Sequence, residues 1–118
     1  MTRQGDKPGS NVVARYLERL SPVGELRTRP LFGATGIFLG AVVFAMVWKD
    51  ELYLKVDPAR PHVDPRHSHA LRYESQGRPL ELRSFWLAPS SVTKTDAALL
   101  RAATQSVEVA RRSHRKAH

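Results

Sequence analysis

The densest run of apolar positions lies at residues 31–55, LFGATGIFLGAVVFAMVWKDELYLK, and the patterns on either side read as elements that cover it. Before it, Val13, Tyr16, Leu17 and Leu20 recur at helical spacing, with Arg15, Glu18 and Arg19 off the stripe. That is an amphipathic helix. Ser10 or Asn11 is placed to cap it, and Ser21-Pro22 ends it, because the residue before a proline is pushed out of the α region. Residues 23–32 read as a turn and a first strand, with Leu26, Thr28 and Pro30 on one face and Arg27 and Arg29 on the other. A proline in a strand marks an edge or an end. Gly33 and Gly36 then predict a tight turn or bulge. An anion cradle is a weaker reading, since no helix follows and no phosphate-loop lysine is present.

Residues 37–39 form a second strand, Gly40-Ala41 a turn or bulge, and residues 42–48 a third strand. Alternation puts Val42, Phe44, Met46 and Trp48 on one face and Val43, Ala45 and Val47 on the other. Both faces are apolar, which predicts a central strand covered on both sides, or one at the centre of a homodimer. Lys49-Asp50 is the tip of a hairpin. Residues 51–57 return as the fourth strand, with Leu52, Leu54 and Val56 inward and Tyr53 and Lys55 facing the other way.

Residues 58–68, PARPHVDPRHS, hold three prolines and predict an irregular link. A fifth strand at 70–75 and a sixth at 79–87 pair about Gln76-Gly77-Arg78; Leu80, Leu82, Ser84 and Trp86 alternate with Glu81, Arg83, Phe85 and Leu87. Pro89 closes the hairpin. Thr95 or Asp96 caps a last helix reaching about residue 112, with Leu99, Leu100, Ala103, Val107 and Ala110 on its apolar face. The order helix, four strands, link, two strands, helix predicts an α+β, two-layer domain: an antiparallel sheet packed by N- and C-terminal helices.

Composition changes this picture little. A chain of 118 residues, 42% hydrophobic, fits one domain with one core. It is expected over residues 10–112, between a disordered N-terminus at 1–9 and a basic tail at 113–118. The longest apolar run is shorter than the roughly 20 residues a membrane span needs, so no membrane is expected. The first residues lack a signal-peptide core and there is no cysteine, so the expected compartment is the cytoplasm, in a bacterium.

Charge adds one question. A net charge of +8 points to a polyanionic partner, but Arg111, Arg112, Arg115 and Lys116 carry four of those charges. The tail is therefore read separately, as a solvated and disordered run.

Candidate chemistry is sparse. His62, Asp64, His67 and His69 cluster in the link. A metal site is the sharp reading and a solvated loop the plain one, preferred because ligands on such a loop need a rigid supporting shell. The three histidines would titrate near the ordinary imidazole value. No nucleophile elbow, zinc helix motif, phosphate loop or convincing carboxylate pair is present, so neither catalysis nor a cofactor is expected.

Several segments together resemble the TfoX (Sxy) N-terminal domain family. They are Arg29-x-Leu31-Phe32-Gly33-x-x-Gly36, Phe44-Ala45, Leu52-Tyr53-Leu54-Lys55-x-Asp57, Tyr73-x-x-x-Gly77-Arg78, Phe85-Trp86, Pro89 and the Leu99-Leu100 helix with Ala110. The chain departs from the family at Leu31, where methionine is usual, at Ala34-Thr35, at Ala102, where tryptophan is frequent, and in the link. The resemblance implies a fold like that of type III secretion chaperones. Longer members carry a second, helical C-terminal domain and regulate natural competence with a cyclic-AMP-responsive activator; this chain is expected to lack that half. A regulatory or protein-interaction role is what the resemblance implies, through an unidentified partner protein, with transcription as one setting.

Nucleic-acid binding is the alternative. Arg27, Arg29, Lys49, Lys55, Arg72, Arg78 and Arg83 would form a basic sheet face, and Arg111, Arg112, Arg115 and Lys116 would add phosphate contacts. Tyr53 and Lys55 are the leading contacts for any partner, and an exposed Tyr53, Phe38 or Phe85 would favour a protein partner.

Overall fold

The computed structural model describes residues 10–116. Helix α1 (Ser10–Leu20) leads through a 3-10 turn at Ser21–Val23 into β1 (Leu26–Leu31), β2 (Ala34–Leu39), β3 (Val42–Trp48) and β4 (Glu51–Lys55). A link with one 3-10 turn (Pro65–His67) precedes β5 (Ala70–Ser75) and β6 (Arg78–Leu87). The short α2 (Ser90–Thr93) and the long α3 (Asp96–Lys116) follow. The strands make one six-stranded antiparallel sheet in the order β1-β2-β3-β4-β6-β5. Pro30 lies on the edge strand β1, where a missing N–H costs no sheet hydrogen bond. Thr95 caps α3, its Oγ1 accepting from the Ala98 N–H at 3.1 Å.

Tight turns set the hairpin registers. Phe32-Gly33, Lys49-Asp50 and Gln76-Gly77 all have positive φ at both residues, the φ pattern of type I′ turns. That twist matches the twist of the flanking strands.

The larger core fills the space between the sheet and the helices. Leu20 of α1 and Leu99, Ala103, Val107 and Ala110 of α3 pack there on Ile37, Phe44, Leu52, Leu54 and Val56. The other face carries no helix among the described residues, yet holds a second core of Ala34, Met46, Tyr53, Leu71 and Phe85, with Leu31, Val43, Trp48, Leu82 and Leu87 around it. The sheet buries this cluster by curling over it.

Two bulges produce the curl and correct the alternation read from the sequence. The register of β2 on β3 slips between Ile37 and Phe38, leaving Phe44 as the extra residue on β3. Val42, Phe44, Ala45 and Val47 therefore all reach the helix-side core, while Val43, Met46 and Trp48 face the second one. On β6, Leu71 pairs with Leu82 while Ala70 pairs with Trp86, so the strand bends at residues 83–85. Leu82 consequently shares a core with Phe85 and Leu87 instead of with Trp86. The Trp86 indole N–H donates to the Arg83 carbonyl at 2.9 Å, giving a partner to a group at the bend. Bulges kink a strand and raise its local twist in this way.

Three further expectations change. The link is solvated only in part: residues 58–60 and 65–67 are exposed, but Val63 is buried and His62 bonds to α3. Helix α3 runs on to Lys116, so residues 113–116 of the expected disordered tail are helical. No glycine or proline stops it there, and cations are favoured at a helix C-terminus. The expected disorder at residues 1–9 and the last two tail residues lie outside the described residues. Helix α2, a single turn after Pro89, was not expected.

Candidate interaction surface

The residues singled out by the family resemblance mostly build the curl. Gly36 sits buried on the second-core face; a Cβ there would lie 2.7 Å from Leu31 Cδ1 and 3.2 Å from Phe38 Cε1. Glycine is what lets those two side chains close over β2. Arg29 stacks over the Phe38 ring at 5.7 Å. Gly33 and Gly77 occupy positive-φ turn positions beside Phe32 and Gln76, and Arg78 opens β6. Leu52 lies in the helix-side core, Trp86 braces the bend, and buried Pro89 precedes α2.

The expected outward pair on β4 divides. Tyr53 is only 2% exposed, inside the second core, with its ring edge-on to His69 at 6.2 Å. It offers no surface to a partner, because the curl that the alternation could not show covers it. Burial, and then the negative charge of Glu51, push its phenol pKa up. Phe85 is buried as well and Phe38 half-buried. Lys55 is half-buried at the end of β4; its Nζ donates to Ser84 Oγ at 3.2 Å and lies 5.0 Å over the Phe85 ring. Burial lowers its pKa.

The basic side chains expected to form one sheet face are dispersed over its edges and turns. Arg27 and Arg29 are on edge strand β1, Lys49 lies over Trp48 in the β3–β4 turn, and Arg78 follows the β5–β6 turn. Arg72 pairs with Glu81 at 3.4 Å on the far edge. The middle of the helix-free face is apolar core. Arg111, Arg112, Arg115 and Lys116 are exposed on the last turns of α3.

The histidines take separate partners. His62 Nε2 lies 3.1 Å from the Ala102 carbonyl and 3.0 Å from the buried Ser106 hydroxyl, and burial lowers its pKa. His67 Nδ1 meets Asp64 Oδ2 at 3.1 Å, and His69 Nδ1 lies 3.0 Å from the Ala70 carbonyl. Asp64 also accepts from the Arg66 backbone and side chain, and these bonds hold its carboxyl well below the usual range. Among the described residues no group of three or more such side chains is arranged to hold a metal.

Two large apolar side chains are exposed among the described residues: Phe32 at 55% and Leu80 at 41%. Both adjoin one residue. The Phe32 ring lies 5.7 Å from the Tyr73 ring, and Leu80 is the direct cross-strand partner of Tyr73. The patch sits where the second core opens to solvent, next to Leu31 and Leu82. Phe32 holds φ +54°, a conformation that costs a side chain of its size on the order of 1 kcal/mol. Sequence reasoning missed Leu80. The clue was its place opposite Tyr73 in a hairpin whose face also carries Leu71 and Leu82.

The fold is an α+β domain: a helix-backed, curled sheet with an apolar patch at its seam. The TfoX N-terminal domain family matches residues 18–110, and the chain belongs to that family. No curated protein matches the chain. No helix among the described residues is long and apolar enough to cross a membrane.

Proposed function

We propose that this chain is a non-enzymatic regulatory domain that works by binding a partner protein through the Phe32–Tyr73–Leu80 patch. The observation that carries this reading is the convergence of both exposed large apolar side chains on Tyr73. Soluble domains seldom leave such groups adjacent unless something covers them, and aromatic anchors dominate interface energies. Phe32 is also displayed at a turn position that ordinarily takes asparagine or glycine, so a backbone cost is borne where the side chain faces outward. Family membership supports a regulatory setting, with transcription as its candidate output. The test is quantitative affinity capture from the source cells with the wild-type chain and with Phe32→Ser/Leu80→Asp. A partner held by the wild type and lost by the double variant, with circular dichroism unchanged, supports the reading. Identical partner sets from the two proteins overturn it.

A further inference from the structure

Three clefts that share lining residues run as a trough from the Arg72–Glu81 pair of the β5–β6 hairpin to α3. The first, about 300 Å³, is lined by Pro58, His69, Arg72, Glu81, Arg83 and Trp86, among others. Pro58 also lines the second, about 150 Å³, where Ser84 of the β6 bend faces Arg112, Ser113 and Lys116 of α3. Arg112 and Asp57 are shared with the third, about 370 Å³, which adds Arg60, His62 and Glu108.

Charge in the trough is unbalanced. Arg72 is occupied by Glu81. Among the described residues Arg60, Arg83, Arg112 and Lys116 have no carboxylate at ion-pairing distance. Asp57, whose Oδ1 accepts from the Ala59 N–H, and Glu108 are the acids facing them. The carbonyls ending α3 contribute about half a negative charge, which the arginines and Lys116 outweigh. Cations lining a concave surface focus their field into it. At one end the half-exposed Trp86 and the exposed His69 put two aromatic rings in the wall.

The geometry points to a single-stranded nucleic acid as the ligand of this trough, its phosphates on Arg60, Arg83, Arg112 and Lys116 and a base against Trp86. A basic groove with an aromatic platform at one end is how single strands are held without sequence preference. A duplex is too stiff to follow a concave trough into the bend of β6 and would present no unstacked base to Trp86.

Fluorescence anisotropy with a labelled oligothymidylate of about 20 nucleotides tests this, with oligouridylate and a duplex of equal length as further arms. Four phosphate contacts predict that single-strand affinity falls about 50-fold between about 50 mM and about 200 mM salt, from a slope of about −0.7 per contact. Arg112→Gln and Lys116→Gln should each flatten that slope by about 0.7 and leave circular dichroism unchanged. In Trp48→Phe, where Trp86 is the remaining tryptophan, its emission should be quenched by the strand. Absent binding at about 50 mM salt, equal affinity for the duplex, an Arg83→Gln/Arg112→Gln/Lys116→Gln variant that binds like wild type, or unmoved Trp86 emission would each overturn the inference. Because neither Phe32 nor Leu80 lines any of the three clefts, Phe32→Ser/Leu80→Asp should bind the oligonucleotide as wild type does.

Discussion

The ring of Phe32, in the turn from β1 to β2, lies 5.7 Å from the ring of Tyr73 on β5, although β1 and β5 are the two edges of a six-stranded sheet. At about 4.8 Å per strand, a flat sheet would hold these positions roughly 20 Å apart. The sheet therefore closes most of the way on itself. That closure buries Tyr53, creates the second core, and leaves Phe32 and Leu80 at its rim.

At Gly36 the Leu31 and Phe38 side chains close over β2. Gly36→Ala should destabilise the fold by about 1–3 kcal/mol, since a methyl would meet Leu31 Cδ1 at 2.7 Å. Adding Leu31→Ala should recover part of that loss, a non-additivity readable in urea unfolding of the single and double variants. Independent, additive losses would show that Leu31 does not press on Gly36.

The β3–β4 turn carries two non-glycine residues at positive φ, Lys49 and Asp50. Replacing them together, Lys49→Asn with Asp50→Gly, supplies the preferred type I′ pair. The expected gain is about 1 kcal/mol, a rise of roughly 4–8 °C in Tm. Both side chains are exposed, so the change acts chiefly through backbone preference, less the Lys49 contact over the Trp48 ring that it removes.

His62 makes stability depend on pH. Its folded-state pKa is lowered by burial, so below about pH 6.5 the unfolded chain binds a proton that the folded one does not. Stability from this group is complete above about pH 6.5 and falls as pH drops toward the folded-state value. Asp57, Arg60, Glu108 and Arg112 share its cleft and set the local field. His62→Gln should flatten the slope of unfolding free energy between about pH 7.5 and about pH 5 while keeping a partner for Ser106. An unchanged slope would place the titration elsewhere. Asp64, held low by its hydrogen bonds, loses its contribution in a separate window below the ordinary carboxylate range.

Much of this architecture is legible in the sequence, for reasons that particular residues make plain. The Val13–Tyr16–Leu17–Leu20 stripe and the Leu99–Ala103–Val107–Ala110 face carry a helical period that packing then uses. Gly33, Gly40 and Gly77 mark turns because positive φ selects for glycine. Pro30 announces an edge. The bulges at Phe44 and at residues 83–85 leave no such mark. An odd number of extra residues, one on β3 and three on β6, reverses every facing beyond it, so the predicted faces of β3 and β6 failed there. The facing of β4 held, and Tyr53 is hidden because the curled sheet covers the face it lies on. The patch was half visible. Phe32 stood out through the family resemblance, but that it meets Tyr73 follows from curvature, which alternation does not encode. The basic run after Arg112 was misread because charge alone does not break a helix.

The central claim is that the rim of the closed sheet receives a partner protein. Its most direct measurement is photocrosslinking in the source cells, with a benzophenone amino acid placed at position 32, at position 80, or at the exposed Arg101 of α3. The account predicts that positions 32 and 80 crosslink to the same protein and position 101 does not. Crosslinking at neither 32 nor 80, or equal crosslinking at 101, would contradict it.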